Sequence, residues 1–168
     1  MEEKVINANK IRKTILNMVL SSGEGHIASS FSIVEMLIAV FNDMKLNTGK
    51  YKENNLILSK GHASYAYYAF LHSLNLMSDE EVFEVGKMGS KFYGHLPFIS
   101  KDTRFSFGSG SLGHGMPFAL GQSTANALLN IDDWTYCIVG DGEANEGTFW
   151  ETLLLSQKFN DSKLKVLI

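Results

Sequence analysis

The chain has 168 residues, of which 45% are hydrophobic and 20% are charged, so it is long enough to bury a sizeable core. Its net charge of −3 and the lack of any basic run exclude the electrostatic footprint of a nucleic-acid-binding protein. A single cysteine, Cys137, excludes a disulfide framework, and its position in an apolar run favours a small core side chain.

The sequence predicts neither a membrane span nor a signal peptide. We find no apolar stretch of sufficient length, and the amino terminus carries Glu2, Glu3 and Lys4 where a signal peptide has a basic and then an apolar segment. We therefore expect a cytoplasmic protein. No repeat or linker divides the sequence, so we expect one domain over residues 1–168.

The amino-terminal part of the chain has the hydrophobic spacing of helices. Ile11, Ile15, Met18 and Val19 fall on one helical face. Residues 32–35 resemble a capping box, and the apolar run that follows predicts a second, buried helix.

Short apolar strands and further helices follow. We predict a strand at residues 56–58, a helix over residues 64–74 and another helix beginning at Ser78, and then an ordered loop or short turns over residues 87–109. A helix over residues 116–129, a strand over 136–139, a helix from Thr148 and a strand near Lys165 complete the pattern. This alternation predicts the α/β class, with a parallel sheet covered by helices on both faces.

The most informative segment is residues 140–147, where glycines flank Asp141 directly after a predicted strand. We expect Gly140 and Gly142 to let the backbone turn and approach a ligand, and residues 148–151 to form a capping box. Amides at a helix start suit a phosphate, and a divalent cation, magnesium or calcium, removes its repulsion from Asp141. A glycine turn with a solvated Asp141 is the alternative.

The segment GDGEANEGTFWE resembles the start of the thiamine-diphosphate motif of transketolases. Four more segments agree with that family in the same order: SSGEGHIASS (21–30), LSKGHA (58–63), FYGHLPF (92–98) and GSGSLGHG (108–115). Together they resemble the amino-terminal, diphosphate-binding domain, in the style of the amino-terminal subunit of split transketolases. The resemblance implies the thiamine-diphosphate-binding fold of the PP type, incomplete at its carboxyl end, because the chain ends at Ile168 before the closing Asn of the motif.

The resemblance also implies the residues that bind the cofactor. Asp141 would be the metal ligand, the Gly142 amide and His62 would bind the diphosphate, and Gly110, Ser111 and Leu112 would contact the cofactor through their backbone. The family commonly has proline at position 111 and glutamine at position 114. Backbone contacts survive either change, but we give His114 no catalytic role.

His26 and His95 match the family's histidines that face the substrate, which makes them the candidate catalytic residues. A neutral imidazole donates to one oxygen and accepts from another, and it titrates near neutral pH. Without the resemblance to this family, a histidine beside glycines is more often a turn or capping residue. His72 lies in an apolar helical pattern and is expected to pack or to face solvent, whereas Glu146 matches a family glutamate at the subunit contact.

The resemblance implies ketol transfer between a ketose and an aldose, with sugars or sugar phosphates as substrates and with thiamine diphosphate and magnesium as cofactors. The family's activating glutamate lies in a pyrimidine-binding domain, so we expect a carboxyl-terminal partner subunit or domain, a homo- or hetero-oligomer, and an inactive isolated chain. Alternatives are a condensation like that of deoxyxylulose-phosphate synthase and a non-catalytic truncated domain. A nucleotide-binding Rossmann protein ranks last, because no G-x-G-x-x-G follows a strand.

Overall fold

The computed structural model describes residues 6–49, 51–159 and 163–168, and the chain divides into two compact units. The first unit comprises Met1–Val40 and His62–Leu96, and the second comprises Phe41–Gly61 and Pro97–Ile168. The expectation of one domain over residues 1–168 stays a prediction. Glu2, Glu3 and Lys4, on which the argument against a signal peptide depended, lie outside the described residues.

The first unit is helical, and its predicted helices are confirmed. Its elements are α1 (Ala8–Ser22), α2 (Ile27–Phe31), the first part of α3 (Val34–Thr48), α4 (Ser64–Ser73) and α5 (Asp79–Glu84). Asn7 caps α1 by accepting the Lys10 amide at 3.1 Å. A capping box between Ser78 and Glu81 starts α5, at the position that the sequence predicted.

Helix α4 forms the core of the first unit. Every residue from Ser64 to Leu71 is buried, and α1 packs against α4 with Ile11, Ile15 and Met18 facing inward. A helix that is apolar on all sides is stable only when other elements surround it. The spacing of α1 and the composition of α4 therefore determine this part of the fold.

The second unit contains a parallel three-stranded sheet. Its strands are β1 (Leu56–Leu58), β2 (Thr135–Ile138) and β3 (Leu164–Leu167), in the order β1-β2-β3, with Ile57 opposite Cys137 and Cys137 opposite Val166. The predicted strands are confirmed, with β2 beginning and ending one residue earlier than expected. Parallel strands need crossover connections, and α7 (Gly147–Ser156) lies in the connection between β2 and β3.

Helices cover both faces of this sheet, as predicted. On one face, Cys137 and Ile57 pack with Met116 and Ala119 of α6 (Gly115–Leu128) and with Phe149 of α7. Neighbouring side chains in a strand point to opposite faces. The hydroxyl of Tyr136 accordingly donates to the Asp43 carboxylate of α3 at 2.6 Å, on the other face.

Cys137 is the small core side chain that the sequence indicated. It is fully buried, and this burial raises the pKa of its thiol well above the ordinary value. A protonated thiol in an apolar cluster behaves as a hydrophobe.

Contrary to the expectation that no apolar stretch is long enough, the described stretch Ile27–Lys45 is long and apolar enough to cross a membrane by length and composition alone. Core helices satisfy the same criterion. Within the stretch, Leu37 and Val40 are buried inside the protein, and the Glu35 carboxylate pairs with Arg12 at 2.8 Å. The length and composition of this stretch are therefore only weak evidence for a membrane span.

Candidate functional site

Three histidines that are distant in sequence meet in the first unit. His26 precedes α2, His62 lies in the short 3-10 turn Gly61–Ala63, and His95 lies in the loop after α5. The ring centroids of His26 and His62 are 6.1 Å apart, those of His26 and His95 are 6.2 Å apart, and both pairs meet edge to face. Spacing along the chain alone did not indicate this convergence.

The rings of the three histidines are accessible to a ligand. His26 and His95 are exposed and His62 is half-buried. His26 occupies the position before α2 but makes no side-chain capping bond, so the capping alternative does not describe it. Rings at this spacing allow one polar ligand to bridge two imidazoles, each of which can donate and accept a hydrogen bond.

In the second unit, Asp141 lies where the sequence placed it, three residues beyond the end of β2. It begins the 3-10 turn Asp141–Asn145, and its side chain is exposed. Among the residues that the structure describes, its carboxylate has no hydrogen bond or ion pair. A carboxylate in this state is available to a cation.

The turn around Asp141 does not need its glycines, contrary to our expectation. Gly140 has an ordinary extended backbone with φ −86° and ψ 151°, and Gly142 is not among the glycines with positive φ. The reason is that the chain forms a 3-10 turn, which other residues adopt equally well. A Cβ at Gly142 would meet nothing within 4 Å, so its exposed backbone is open to a ligand.

The predicted capping box at residues 148–151 is wrong. Helix α7 begins at Gly147 with Glu146 as its N-cap residue, and no side-chain capping bond forms there. Thr148 therefore lies inside the first turn of the helix, where its hydroxyl cannot act as the cap. The reciprocal bonds occur earlier: the Gly140 amide donates to Glu143 Oε2 at 2.7 Å, and the Glu143 amide donates to the Gly140 carbonyl at 3.0 Å.

Glu143 is the residue that sequence reasoning missed. It is fully buried, and its carboxylate accepts the Ser59 hydroxyl at 2.6 Å, the Gly113 amide at 2.8 Å and the Gly140 amide at 2.7 Å. Buried carboxylates are tolerated when donors satisfy their oxygens. The available signal in the sequence was its position shortly after the predicted strand that became β2.

The Glu143 network ties the glycine segment 108–115 to the ends of two strands. Ser59 Oγ also accepts the Gly115 amide at 3.1 Å. A Cβ at Gly115 would lie 2.4 Å from the Ser59 Cβ, and one at Gly113, where φ is 77°, would lie 2.9 Å from the Glu146 Cβ. Only glycine fits at these two positions.

The anchored segment leaves Gly110, Ser111 and Leu112 exposed while Gly113 is buried. The predicted cofactor-contacting residues are therefore accessible to solvent in the same unit as Asp141 and Gly142. The His114 ring lies 2.9 Å from the Leu112 carbonyl through Nδ1, which is the contact of a turn residue.

No group of three or more His, Cys, Asp or Glu residues capable of holding a metal occurs in the described part of the chain. Asp141 fits a magnesium ion as a single carboxylate ligand, because magnesium commonly takes one or two carboxylates and completes its shell with phosphate oxygens and water.

Two other polar side chains already have partners. His72 lies 2.7 Å from Asp79, and Arg104, the only arginine of the middle loop, binds Asp102 at 2.7 Å. Neither pair involves a candidate site residue. This agrees with the structural role expected for His72.

The transketolase family model described as "thiamine diphosphate binding domain" matches residues 2–168. The chain is 30% identical to an apulose-4-phosphate transketolase subunit of Phocaeicola vulgatus, over 100% of this chain and 60% of that protein. It is 33% identical to 6-deoxy-6-sulfo-D-fructose transketolase subunit SqwG of a Clostridium species, over 89% of this chain and 55% of that protein. The chain thus spans little more than half of these relatives.

Solved structures agree with the sequence relatives. A transketolase from Leishmania mexicana superposes with a TM-score of 0.82 at 25% identity, covering 95% of this chain and 26% of that one. A mutant transketolase from Pichia stipitis has the same fold, with a TM-score of 0.73 at 24% identity over 95% of this chain and 25% of its own. The chain therefore belongs to the transketolase thiamine diphosphate binding domain family.

Proposed function

We propose that this chain is the diphosphate-binding half of a transketolase-type enzyme, a transferase that moves a two-carbon ketol unit from a ketose to an aldose. The observation that carries the proposal is the convergence of His26, His62 and His95 in the first unit, which the sequence resemblance had singled out as site residues. The imidazoles of His26 and His95 suit a substrate that carries several hydroxyls, and the His62 imidazole beside His26 suits the diphosphate.

When bound, thiamine diphosphate would supply the thiazolium carbanion chemistry that breaks and forms bonds between ketol carbons. His62 would bind the diphosphate, as would the amide of Gly142. Gly110, Ser111 and Leu112 would hold the cofactor through their backbone. Their exposure supports this assignment, because residues that hold a cofactor must be accessible to it.

Asp141 would bind the magnesium or calcium ion that accompanies the diphosphate. Its carboxylate is exposed, and in the described residues it is committed to no other group. A hard cation between a carboxylate and a diphosphate removes their mutual repulsion. The Glu143 network supports the role of Asp141 by fixing the turn on which it lies.

His26 and His95 would act on the substrate. The imidazole nitrogens can donate hydrogen bonds to the hydroxyls or the carbonyl oxygen of a sugar and can transfer protons to or from them. With ring centroids 6.2 Å apart, His26 and His95 can engage neighbouring oxygens of one substrate.

The complete enzyme would need a pyrimidine-binding domain or a carboxyl-terminal partner subunit that carries the activating glutamate. The relatives named as subunits support an assembly of two kinds of chain, in which this chain joins a homo- or hetero-oligomer. The relatives' names include a sugar phosphate and a sulfo sugar. We infer a sugar or sugar phosphate as substrate and a cytoplasmic location.

Calorimetric titration of thiamine diphosphate into the complete assembly, with magnesium and with EDTA, tests the proposal. We expect saturable binding that requires the metal, together with transfer of a ketol unit from a ketose to an aldose. Lack of cofactor binding with magnesium present would contradict the proposal. Carbon dioxide release from pyruvate without ketol transfer would instead indicate a condensation like that of deoxyxylulose-phosphate synthase.

A further inference from the structure

Helix α4 carries two buried hydroxyls on one face. Ser64 and Tyr68 are four residues apart, so their side chains project from the same side of the helix, and both residues have an exposed fraction of 0%. Buried hydroxyls are costly unless they are hydrogen-bonded, so their partners indicate what they do.

Both hydroxyls donate to the backbone of the loop that carries His95. Ser64 Oγ donates to the Gly94 carbonyl at 2.6 Å. The Tyr68 hydroxyl lies 3.0 Å from the Tyr93 carbonyl and 3.3 Å from the His95 carbonyl. All of these residues belong to the first unit.

The carbonyl of Phe92, which precedes these residues, also accepts a hydrogen bond. The Gly86 amide donates to the Phe92 carbonyl at 2.9 Å, so the four consecutive carbonyls of residues 92–95 all accept bonds from the same unit. This segment forms neither helix nor strand. Donors outside the segment therefore hold its backbone. The Gly86 amide binds the first of the four carbonyls, and the two hydroxyls of α4 bind the other three.

The direction of the side chains follows from this anchoring. Phe92 and Leu96 are buried at the two ends of the segment, whereas Tyr93 and His95 are exposed. The Phe92 ring also packs edge to face against Tyr68 at 5.8 Å. With the carbonyls held against α4, the His95 ring is directed outward to its place beside His26.

We propose that Tyr68 and Ser64 are positioning residues that hold the His95 loop in the geometry that the site needs. The catalytic importance of this geometry rests on the proposed function, whereas the anchoring itself does not. Burial raises the pKa of Tyr68 well above its ordinary value, so the hydroxyl stays protonated and remains a donor. The hydrogen bonds of Tyr68 and Ser64 described above all go to backbone carbonyls and not to a histidine ring.

The test compares Tyr68→Phe and Ser64→Ala with Tyr65→Phe. Tyr65 is the matched control: it lies in α4, its exposed fraction is 0%, and its hydroxyl faces Ser22 Oγ at 3.2 Å and Glu24 Oε1 at 3.5 Å. Each variant removes one buried hydroxyl without changing the packing of carbon atoms. Circular dichroism establishes that each variant is folded, and Ser64→Ala keeps the test informative if Tyr68→Phe does not fold.

The first measurement is made on the chain itself. We expect the imidazole signals of His95 in 15N-edited NMR spectra to shift or broaden in Tyr68→Phe and Ser64→Ala but to stay unchanged in Tyr65→Phe. Amide exchange over residues 92–96 should accelerate in the same two variants. Unchanged His95 signals in both variants, or an equal change in the control, would overturn the proposal.

The second measurement uses the complete assembly. We expect kcat/KM for ketol transfer to fall about tenfold in Tyr68→Phe with unchanged affinity for thiamine diphosphate, because small displacements of a catalytic group lower the rate without weakening cofactor binding. If the wild-type assembly transfers no ketol unit, the proposed function fails, while the NMR comparison still decides whether the hydroxyls hold the loop.

Discussion

At the scale of single residues, Glu143 links three segments of the second unit. Its buried carboxylate accepts three donors, each from a different segment of the chain. In Glu143→Gln an NH2 group replaces one carboxylate oxygen. It then faces a hydrogen-bond donor, so the bond to that donor is lost. We expect the free energy of unfolding to fall by about 1–3 kcal/mol, as measured by urea denaturation.

The matched control is Glu151→Gln, which makes the same chemical change at an exposed position of α7. Its effect should stay within about 0.5 kcal/mol. Equal losses in the two variants would show that the three hydrogen bonds do not stabilise the fold.

Asp141 is expected to matter for binding and not for stability, because its carboxylate is exposed and makes no bond with the described residues. Asp141→Ala in the complete assembly should weaken magnesium-dependent binding of thiamine diphosphate by about 10²-fold, since the diphosphate loses its charge partner. Calorimetry measures this affinity.

Asp132→Ala serves as the control for Asp141→Ala, because Asp132 is an exposed aspartate of the same unit that precedes β2 instead of following it. It should leave the affinity unchanged. Tight binding retained in Asp141→Ala would remove this residue from the metal site.

At the scale of elements, α6 contains two glycines with opposite expected responses to alanine. A Cβ at Gly115 would lie 2.4 Å from the Cβ of Ser59, whereas one at Gly121 would meet nothing within 4 Å. Gly115→Ala should therefore lower the free energy of unfolding by about 1–3 kcal/mol through overpacking. Gly121→Ala should raise it by about 0.5–1 kcal/mol through helix propensity.

Thermal unfolding of the two α6 variants, run side by side, checks both signs. A stable Gly115→Ala variant would show that the start of α6 moves away from Ser59 at little cost. Because both variants carry the same substitution in the same helix, the difference between them isolates the close contact with Ser59.

The elements themselves were largely predictable from local patterns. The spacing of Ile11, Ile15 and Met18 predicted α1, and the short apolar runs predicted the three strands. The prediction of a capping box at residues 148–151 was wrong because α7 already begins at Gly147. Four residues that fit the capping-box pattern can therefore also lie inside a helix. Short motifs determine that a helix starts nearby but not at which residue.

The long-range contacts of the candidate site were not predictable in this way. Glu143 and Ser59 are 84 residues apart, and neither residue type indicates the other. The three histidines were identified by their motifs, but only the fold shows that the His26 ring lies about 6 Å from each of the other two rings. Contacts between residues that are distant in sequence depend on how helices and strands are placed relative to one another, which the local sequence does not encode.

At the scale of the whole molecule, α7 presents an apolar surface to solvent. Trp150 is 54% exposed and Leu154 is 67% exposed. Exposed apolar patches promote association. We therefore expect the chain on its own to self-associate, and Leu154→Gln to reduce this association in sedimentation velocity experiments at micromolar concentration.

Leu128→Gln is the control for the α7 variant, because Leu128 is 79% exposed at the end of α6. A wild-type chain that sediments as a stable monomer would contradict the expectation. Association that responds equally to both substitutions would mean that the α7 face has no special part in it.

Each compact unit is built from two separate stretches of sequence, and the stretches alternate along the chain. During synthesis the first unit cannot close until Leu96 has left the ribosome, so residues 6–40 must wait for their partners while residues 41–61 emerge. For the same reason no single cut in the chain separates the sequence of one unit from that of the other. A protease cut near Gly61 would divide the sequences of both units at once, because it falls between the two stretches of each.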